Sequence, residues 1–343
     1  MRPWLAGLCL ALSLVVGCAH VLPATLEPTE APTVLTDDGW ELPLRHYPAA
    51  GPPVLLVHGM GANHRNFDYR PENALAPWLQ ARGWDVWVVV LRGDPGSVPP
   101  DLEAWDRYTF ADHAELDLPI IVDAVLARTG QEQLYWVGHS MGGMLLYTTL
   151  TRRPGRIVAA VTVCAPACIG DSTPLHRRFR RWSHVAPKRH RVPARFGAKA
   201  SLLLGQANPL YRWLLYHENM EPELARGLID AGIIDLPGVM MREAAGWMRA
   251  GALLDADGQP WVQPAELPLL VLAGSVDQVA PPDTVSCACE IFPDCDYRLL
   301  GREAGLSTDY GHVDPLVGTT AREEVFPLVG AFLEEQRLEM SGD

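Results

Sequence analysis

Apolar residues fall along this chain in short unbroken runs, separated by polar and helically patterned stretches. "PPVLLVHGMG", "WDVWVVVLRG", "LYWVGHS", "RIVAAVTVCAP", "LPLLVLAGSVD" and "DYRLLG" are such runs. Rich in Val and Leu and ended by Gly, Pro or Asp, they read as strands buried on both faces. Between them "NALAPWLQARG", a stretch from about Asp112 to Arg128, the residues after Ser140 and "AREEVFPLVGAFLEEQRL" carry helical spacing. "TVLTDDGWELPLRHYPA" adds two short strands around Asp38-Gly39, a hairpin signal. This alternation predicts the α/β class: a mainly parallel sheet flanked by helices. From Pro166 to about Pro264 the alternation stops and the pattern becomes helical and irregular. Residues 33–166 and 265–343 thus read as two parts of one core, and 167–264 as an inserted, mostly helical cap.

Composition narrows the class. Of the 343 residues, 48% are apolar and 20% charged, which suits a globular chain with a large core and excludes disorder or a fibrous repeat. A net charge of −13 argues against a nucleic-acid partner, since phosphate binding needs an excess of Lys and Arg. At the N-terminus, Arg2 precedes an apolar run from Leu5 to Gly17. The run is too short to span a bilayer and has the length of a signal-peptide core. Val15-Val16-Gly17-Cys18 resembles a bacterial lipobox, whose cysteine becomes the lipidated first residue. The expectation is a signal peptide over 1–17, lipidation at Cys18 and a Pro-rich tether over 18–32. Each buried methylene of such an anchor contributes about 0.8 kcal/mol. Ala19 points to the outer membrane and the whole to a bacterial cell envelope; the alternative is an ordinary signal peptide that contains a cysteine.

An exported chain meets an oxidising compartment. Of Cys164, Cys168, Cys287, Cys289 and Cys295, pairs within 287–295 or between 164 and 168 are expected, with one thiol left over. No His or Cys spacing reads as a zinc site, and no cofactor is expected.

Charge is unevenly spread. From Ser172 to His217 the chain holds ten basic residues (Arg177, Arg178, Arg180, Arg181, Lys188, Arg189, Arg191, Arg195, Lys199 and Arg212) and no acidic one, with Phe179, Trp182, Phe196 and Trp213 among them. Either this surface meets anionic lipid headgroups or an acidic substrate, or it is a solvated cap balancing an acidic core.

The chemistry concentrates in three places. Gly138-His139-Ser140-Met141-Gly142 closes a strand and opens a helix, the G-x-S-x-G pattern that exposes a serine nucleophile on a sharp turn. Acyl transfer by Ser140 needs a base, a carboxylate to orient that base and donors for the oxyanion. Asp277, just past a late strand, is the candidate acid, with Asp296 and Asp309 as rivals. His312, after a Gly and before the last helix, is the candidate base; Asp314 reads as a structural cap or loop ligand. His58 and His139 lie inside other motifs, and His176, His184 and His190 read as surface residues. Backbone N–H groups of Met141 and of Met60, in the turn His58-Gly59-Met60-Gly61, are the oxyanion candidates.

"PVLLVHGMGANHRNFD", "GWDVWVVVLRG", "TFADHAELDLP", "VGHSMGG" and "YGHVDPLVGTTAREEVFPLV", in this order, resemble blocks of the α/β-hydrolase superfamily. The acid-lipase-like and polyhydroxyalkanoate-synthase-like branches are nearest. The resemblance implies an α/β-hydrolase core and a Ser-Asp-His triad. Polyhydroxyalkanoate synthases carry cysteine where Ser140 stands, which favours ester hydrolysis over polymer synthesis. Many relatives read "RGHGxS" where this chain has "LRGDPGS", so Asp94 and Pro95 put that loop's substrate contacts in doubt. The expected activity is a serine ester hydrolase, a lipase or carboxylesterase acting on a small-molecule or lipid ester, with Leu202, Leu203, Leu204, Leu214 and Leu215 as acyl-site candidates. An acyltransferase with an alcohol acceptor is the alternative, and a non-enzymatic envelope protein a third reading.

Overall fold

The computed structural model of the chain describes residues 26–170, 173–182, 191–201 and 213–342. Its strands are β1 (Thr33–Leu35), β2 (Glu41–Tyr47), β3 (Pro53–Val57), β4 (Asp85–Val89), β5 (Leu134–His139), β6 (Ile157–Val163), β7 (Arg191–Val192), β8 (Leu236–Pro237), β9 (Leu269–Gly274) and β10 (Cys295–Leu300). Eight of them form one sheet in the order β1-β2-β4-β3-β5-β6-β9-β10. From β4 to β10 all neighbours are parallel; β1 and β2 add an antiparallel edge.

The unbroken apolar runs are what a sheet covered on both faces requires. Along β3, Leu55 and Val57 point to one face and Val54 and Leu56 to the other, and all four are fully buried. The first face is covered by α2 (Leu118–Thr129) and α3 (Met141–Arg152), through Leu118, Ile121, Val125, Leu145 and Leu146. The second is covered by α1 (Leu75–Gln80) and the late helix α8 (Phe326–Ser341), through Leu75, Leu79, Phe326, Val329 and Leu333. β10 closes one edge with exposed Asp296 and Arg298, charges that discourage pairing with another chain.

The helix expected from about Asp112 starts at Phe110 and contains a π turn over His113–Asp117 before α2. Beneath that turn lies a buried ion pair. Arg92 Nε donates to both carboxylate oxygens of Asp117 at 2.9 Å, and Nη1 donates to Asp38 at 2.9 Å. The "LRG" loop after β4 is thereby tied to the Asp38-Gly39 hairpin and to the helix. Asp94 is also buried and accepts from Gly96 N at 2.8 Å, so it folds its own loop. Two contacts mark the N-terminal edge. Glu30 bridges to His46, and the Leu26 carbonyl accepts from Arg45 Nη2 at 2.6 Å. The last residues of the expected tether therefore lie against the sheet.

Between β6 and β9 the chain leaves the sheet. The described residues there form α4 (Pro174–Trp182), α5 (Ala194–Ser201), α6 (Pro222–Gly232), α7 (Gly238–Ala250) and the small β7–β8 ribbon. The disulfides correct part of the expected pairing. Cys168 bonds Cys287, Cys289 bonds Cys295, and Cys164 is free and buried. The reason is positional: Ala167 and Cys168 donate their N–H groups to the Thr284 carbonyl, three residues before Cys287. Cys164 instead ends β6 inside the core, its thiol 3.6 Å from the Gly311 carbonyl.

The cap docks on the core partly through Glu243 of α7, whose Oε2 accepts from Phe110 N at 2.8 Å in the first turn of the helix leading to α2. Burial, with the Asp112 charge adding to it, pushes the Glu243 carboxyl up from 4.5 to about 7 despite that bond. Between those values the folded protein holds a proton that the unfolded chain has released, so stability from this site falls as pH rises across the window. Glu243→Gln keeps an acceptor without the charge. Urea unfolding at about pH 5 and about pH 7 should show the variant gaining on the wild type by up to about 1.4 kcal/mol per pH unit; a constant gap would refute the assignment.

Candidate active site

The carboxyl ends of the parallel strands carry the chemistry, as expected for an open α/β sheet. Ser140 sits between β5 and α3 with φ 51° and ψ −119°, a left-handed conformation costly for a side-chain-bearing residue. Its N–H donates to the Val163 carbonyl at 2.9 Å, and its own carbonyl accepts from Gly143 N at 2.9 Å and Met144 N at 3.1 Å. The flanking glycines are steric requirements. A Cβ on Gly138 would stand 2.5 Å from the Gly142 carbonyl carbon, and one on Gly142 would stand 2.0 Å from the Val57 carbonyl oxygen.

His312 lies in the loop before the last helices, and its Nε2 is 3.0 Å from Ser140 Oγ. Its Nδ1 is 2.8 Å from Asp277 Oδ2. An ionised carboxylate only accepts, so Nδ1–H donates to Asp277 and Nε2 is left to accept from the serine hydroxyl. Asp277 Oδ1 in turn accepts from Val279 N at 2.7 Å and Ala280 N at 2.9 Å. All three residues predicted from the sequence therefore stand in one hydrogen-bonded line. The rival acids are elsewhere: Asp309 accepts from Ser275 Oγ and Arg302 N, and Asp296 pairs with Arg298 on the edge strand.

Other groups hold His312. His139 Nε2–H donates to the His312 carbonyl at 2.9 Å, and burial drives its pKa down to about 3, so the ring stays neutral. Asp314, expected to serve its loop, accepts from Gly311 N at 3.0 Å and reaches into the cap through Tyr216 N at 3.0 Å and Asn219 Nδ2 at 3.2 Å. Burial raises its carboxyl to about 7 against those bonds. Motif reading passed over His139, and nothing local in the sequence pointed to Tyr216 or Asn219 as its loop's partners. His176, expected on the surface, is buried, and its Nε2–H donates to the Val279 carbonyl at 2.7 Å. The correction follows from its place at the inner face of α4. Cys18, His184, His190 and Leu202 to Leu204 lie outside the described residues.

Met60 and Met141 line the same cavity as Ser140 and His312. Met141 is the first residue of α3, so its N–H has no acceptor within the helix. Gly59 packs tightly on the elbow: a Cβ there would be 3.0 Å from the Ser140 Cβ. The cavity measures about 380 Å³ and is mostly apolar, with Met144, Leu175, Leu214, Leu236, Met241 and Trp247 in its walls. A smaller cavity of about 70 Å³ lies across Met60, Leu214 and His312, and reaches Leu215. Among the described residues, Cys164, Asp277 and His312 bring three ligand-type atoms within 4.8 Å. Two of them are committed to the relay, and burial holds the Cys164 thiol far above its ordinary pKa. A metal would need that thiol deprotonated, so the cluster does not suit one.

The profile of the alpha/beta hydrolase fold matches residues 52–313. The chain belongs to that family. It is 32% identical over 143 residues to gastric triacylglycerol lipase of Homo sapiens, covering 37% of this chain and 36% of that protein. Lipase member K of Homo sapiens is likewise 32% identical over 143 residues, with the same coverage. The aligned part is thus about a third of the length of these curated relatives. Among solved structures, a thermophilic esterase from Thermogutta terrifontis superposes with a TM-score of 0.62 at 20% identity, over 90% of this chain and 99% of that one. A membrane phospholipase A described as a bacterial virulence factor gives 0.59 at 18% identity, over 90% and 86%. At such identities the family likeness speaks for the fold, and the elbow and its relay are read from their own geometry.

Gly142→Ala should destabilise the fold by at least about 1–3 kcal/mol, because its methyl meets backbone rather than a side chain that can move aside. Gly197→Ala, in α5 with open space around it, should be neutral or stabilising by up to about 1 kcal/mol. Urea midpoints of the two variants check the contrast, and equal shifts would contradict it.

Proposed function

We propose that this protein is a serine ester hydrolase, a lipase or carboxylesterase acting through an acyl-enzyme. The observation that carries the reading is the relay Asp277–His312–Ser140 at 2.8 and 3.0 Å, opening onto an apolar cavity. Ser140 Oγ attacks the acyl carbonyl while its proton passes to His312 Nε2; Asp277 steadies the imidazolium. The negative oxygen of the tetrahedral intermediate is held by the N–H groups of Met60 and Met141. Collapse expels the alcohol, which takes the proton from His312. Water then attacks the acyl-enzyme with His312 as base, and the acid leaves as Ser140 regains its proton.

The cavity favours an apolar acyl group. Five methionines line it, Met60, Met141, Met144, Met241 and Met248, and their unbranched side chains adapt to chains of different shape. The names of the aligned relatives, triacylglycerol lipases among them, agree with an ester substrate. A fluorophosphonate should label the wild type at Ser140 and not Ser140→Ala, with p-nitrophenyl ester hydrolysis falling roughly 10⁴–10⁶-fold. An unlabelled, inactive wild type would overturn the reading. Product formed only when an alcohol is supplied would turn it toward the acyltransferase alternative.

We further place the protein in a bacterial cell envelope, held by a lipid on Cys18. Two disulfides among its cysteines suit an oxidising compartment. Cys18→Ser should move the protein from the membrane fraction to the soluble one; retention in the membrane would count against lipidation.

A further inference from the structure

The four arginines of α4 have no role in the relay, yet they sit on the helix that walls its cavity. Leu175 and His176 of α4 line the cavity with Ser140, while Arg177, Arg178, Arg180 and Arg181 are exposed. Within this nine-residue helix, spacings of three and four bring the cations onto one face, where like charges repel. No acidic residue occurs from Ser172 to His217, so the helix itself carries no carboxylate. Among the described residues Arg178 and Arg181 have no ion-pair partner. The rest of the chain is the opposite: all 41 acidic residues share it with 18 of the 28 basic ones. Most of the molecule is therefore repelled by a negative surface, and α4 is drawn to one.

The helix is also firmly seated. Thr173 Oγ1 accepts from His176 N at 3.2 Å and donates to the Gln278 carbonyl at 3.2 Å. His176 Nε2–H donates to the carbonyl of Val279, the residue whose N–H, with that of Ala280, holds Asp277. A surface bound to α4 is thus fixed in orientation relative to the cavity and the relay.

We propose that the arginine face of α4 docks the protein on an anionic lipid bilayer. A bilayer is the occupant committed to here. Its dense array of negative headgroups is wide enough to meet Arg178 and Arg181 together, and the cavity walled by the same helix is apolar. The proposal deepens the ester-hydrolase reading by naming where substrate is met, but the docking itself does not require activity.

The test is partition of the full chain onto vesicles of phosphatidylcholine alone or mixed with phosphatidylglycerol. An N-terminal acyl chain inserts in both alike, so the ratio between them isolates the electrostatic part, and the α4 variants assign it to the helix. Partition should favour the anionic vesicles and weaken with salt. Arg178→Ala with Arg181→Ala should lower it about 30-fold, taking each basic residue at its usual contribution near a charged membrane. Arg178→Lys with Arg181→Lys should retain it, and hydrolysis of a soluble p-nitrophenyl ester should be unchanged in both. Equal partition on the two vesicle types, or an unaffected alanine variant, would overturn the proposal. So would tight binding of polyglutamate without vesicle binding, which would assign the face to an acidic polypeptide. Loss of soluble-ester hydrolysis in the wild type would instead strike the ester-hydrolase reading and leave the docking result standing.

Discussion

A serine held at φ 51° is the constraint on which the rest of this structure turns. Such a backbone persists only where its surroundings over-determine it. Here β5 feeds α3 through a turn so tight that Gly138 and Gly142 have no room for a side chain. Val163 at the end of β6 anchors the turn from the neighbouring strand, and Val57 at the end of β3 presses on the helix from the other side. The elbow is therefore a product of three adjacent parallel strands, and its geometry cannot be separated from the sheet order. The acid loop after β9 and the base loop after β10 then approach from the same end of the sheet.

Around that point the polar groups are arranged in layers. Asp277 orients His312, and two backbone N–H groups orient Asp277. His139 holds the carbonyl of His312, and Asp314 binds the base loop to the cap. Burial raises the carboxyls of Asp314 and Glu243 to about 7, and both reach across between cap and core. The seating of the cap is thereby sensitive to proton concentration in the range where ordinary carboxylates are silent.

Much of the core was legible in the sequence because its signals are local. A five-residue apolar run such as Val54 to Val57 with Pro53 means a covered strand, and the glycines around Ser140 mean a tight turn. Asp277 and His312 were singled out by their place after late strands and their order behind Ser140, and the structure brings both into hydrogen-bonded line with Ser140. The cap was less legible because its contacts are distant in sequence. His176 among arginines reads as exposed until the Val279 carbonyl, over a hundred residues on, is found beside it. Cys168 likewise reads as a partner for nearby Cys164, and only the closeness of the Thr284 carbonyl reveals its bond to Cys287. Asp314's role in joining loop to cap depends on Tyr216 and Asn219, which no motif marks.

The Cys168–Cys287 bond closes a loop of 119 residues that contains the cap, β9 and the acid. In the chain-entropy account a closure of that length stabilises by roughly 4–5 kcal/mol. It also changes what a break in the chain means. A protease that cuts anywhere in the cap leaves the fragment with the serine and the fragment with the acid and base joined by sulfur. The nicked molecule keeps its relay partners at high effective concentration, whereas the same cut in a reducing medium leaves them held by packing alone.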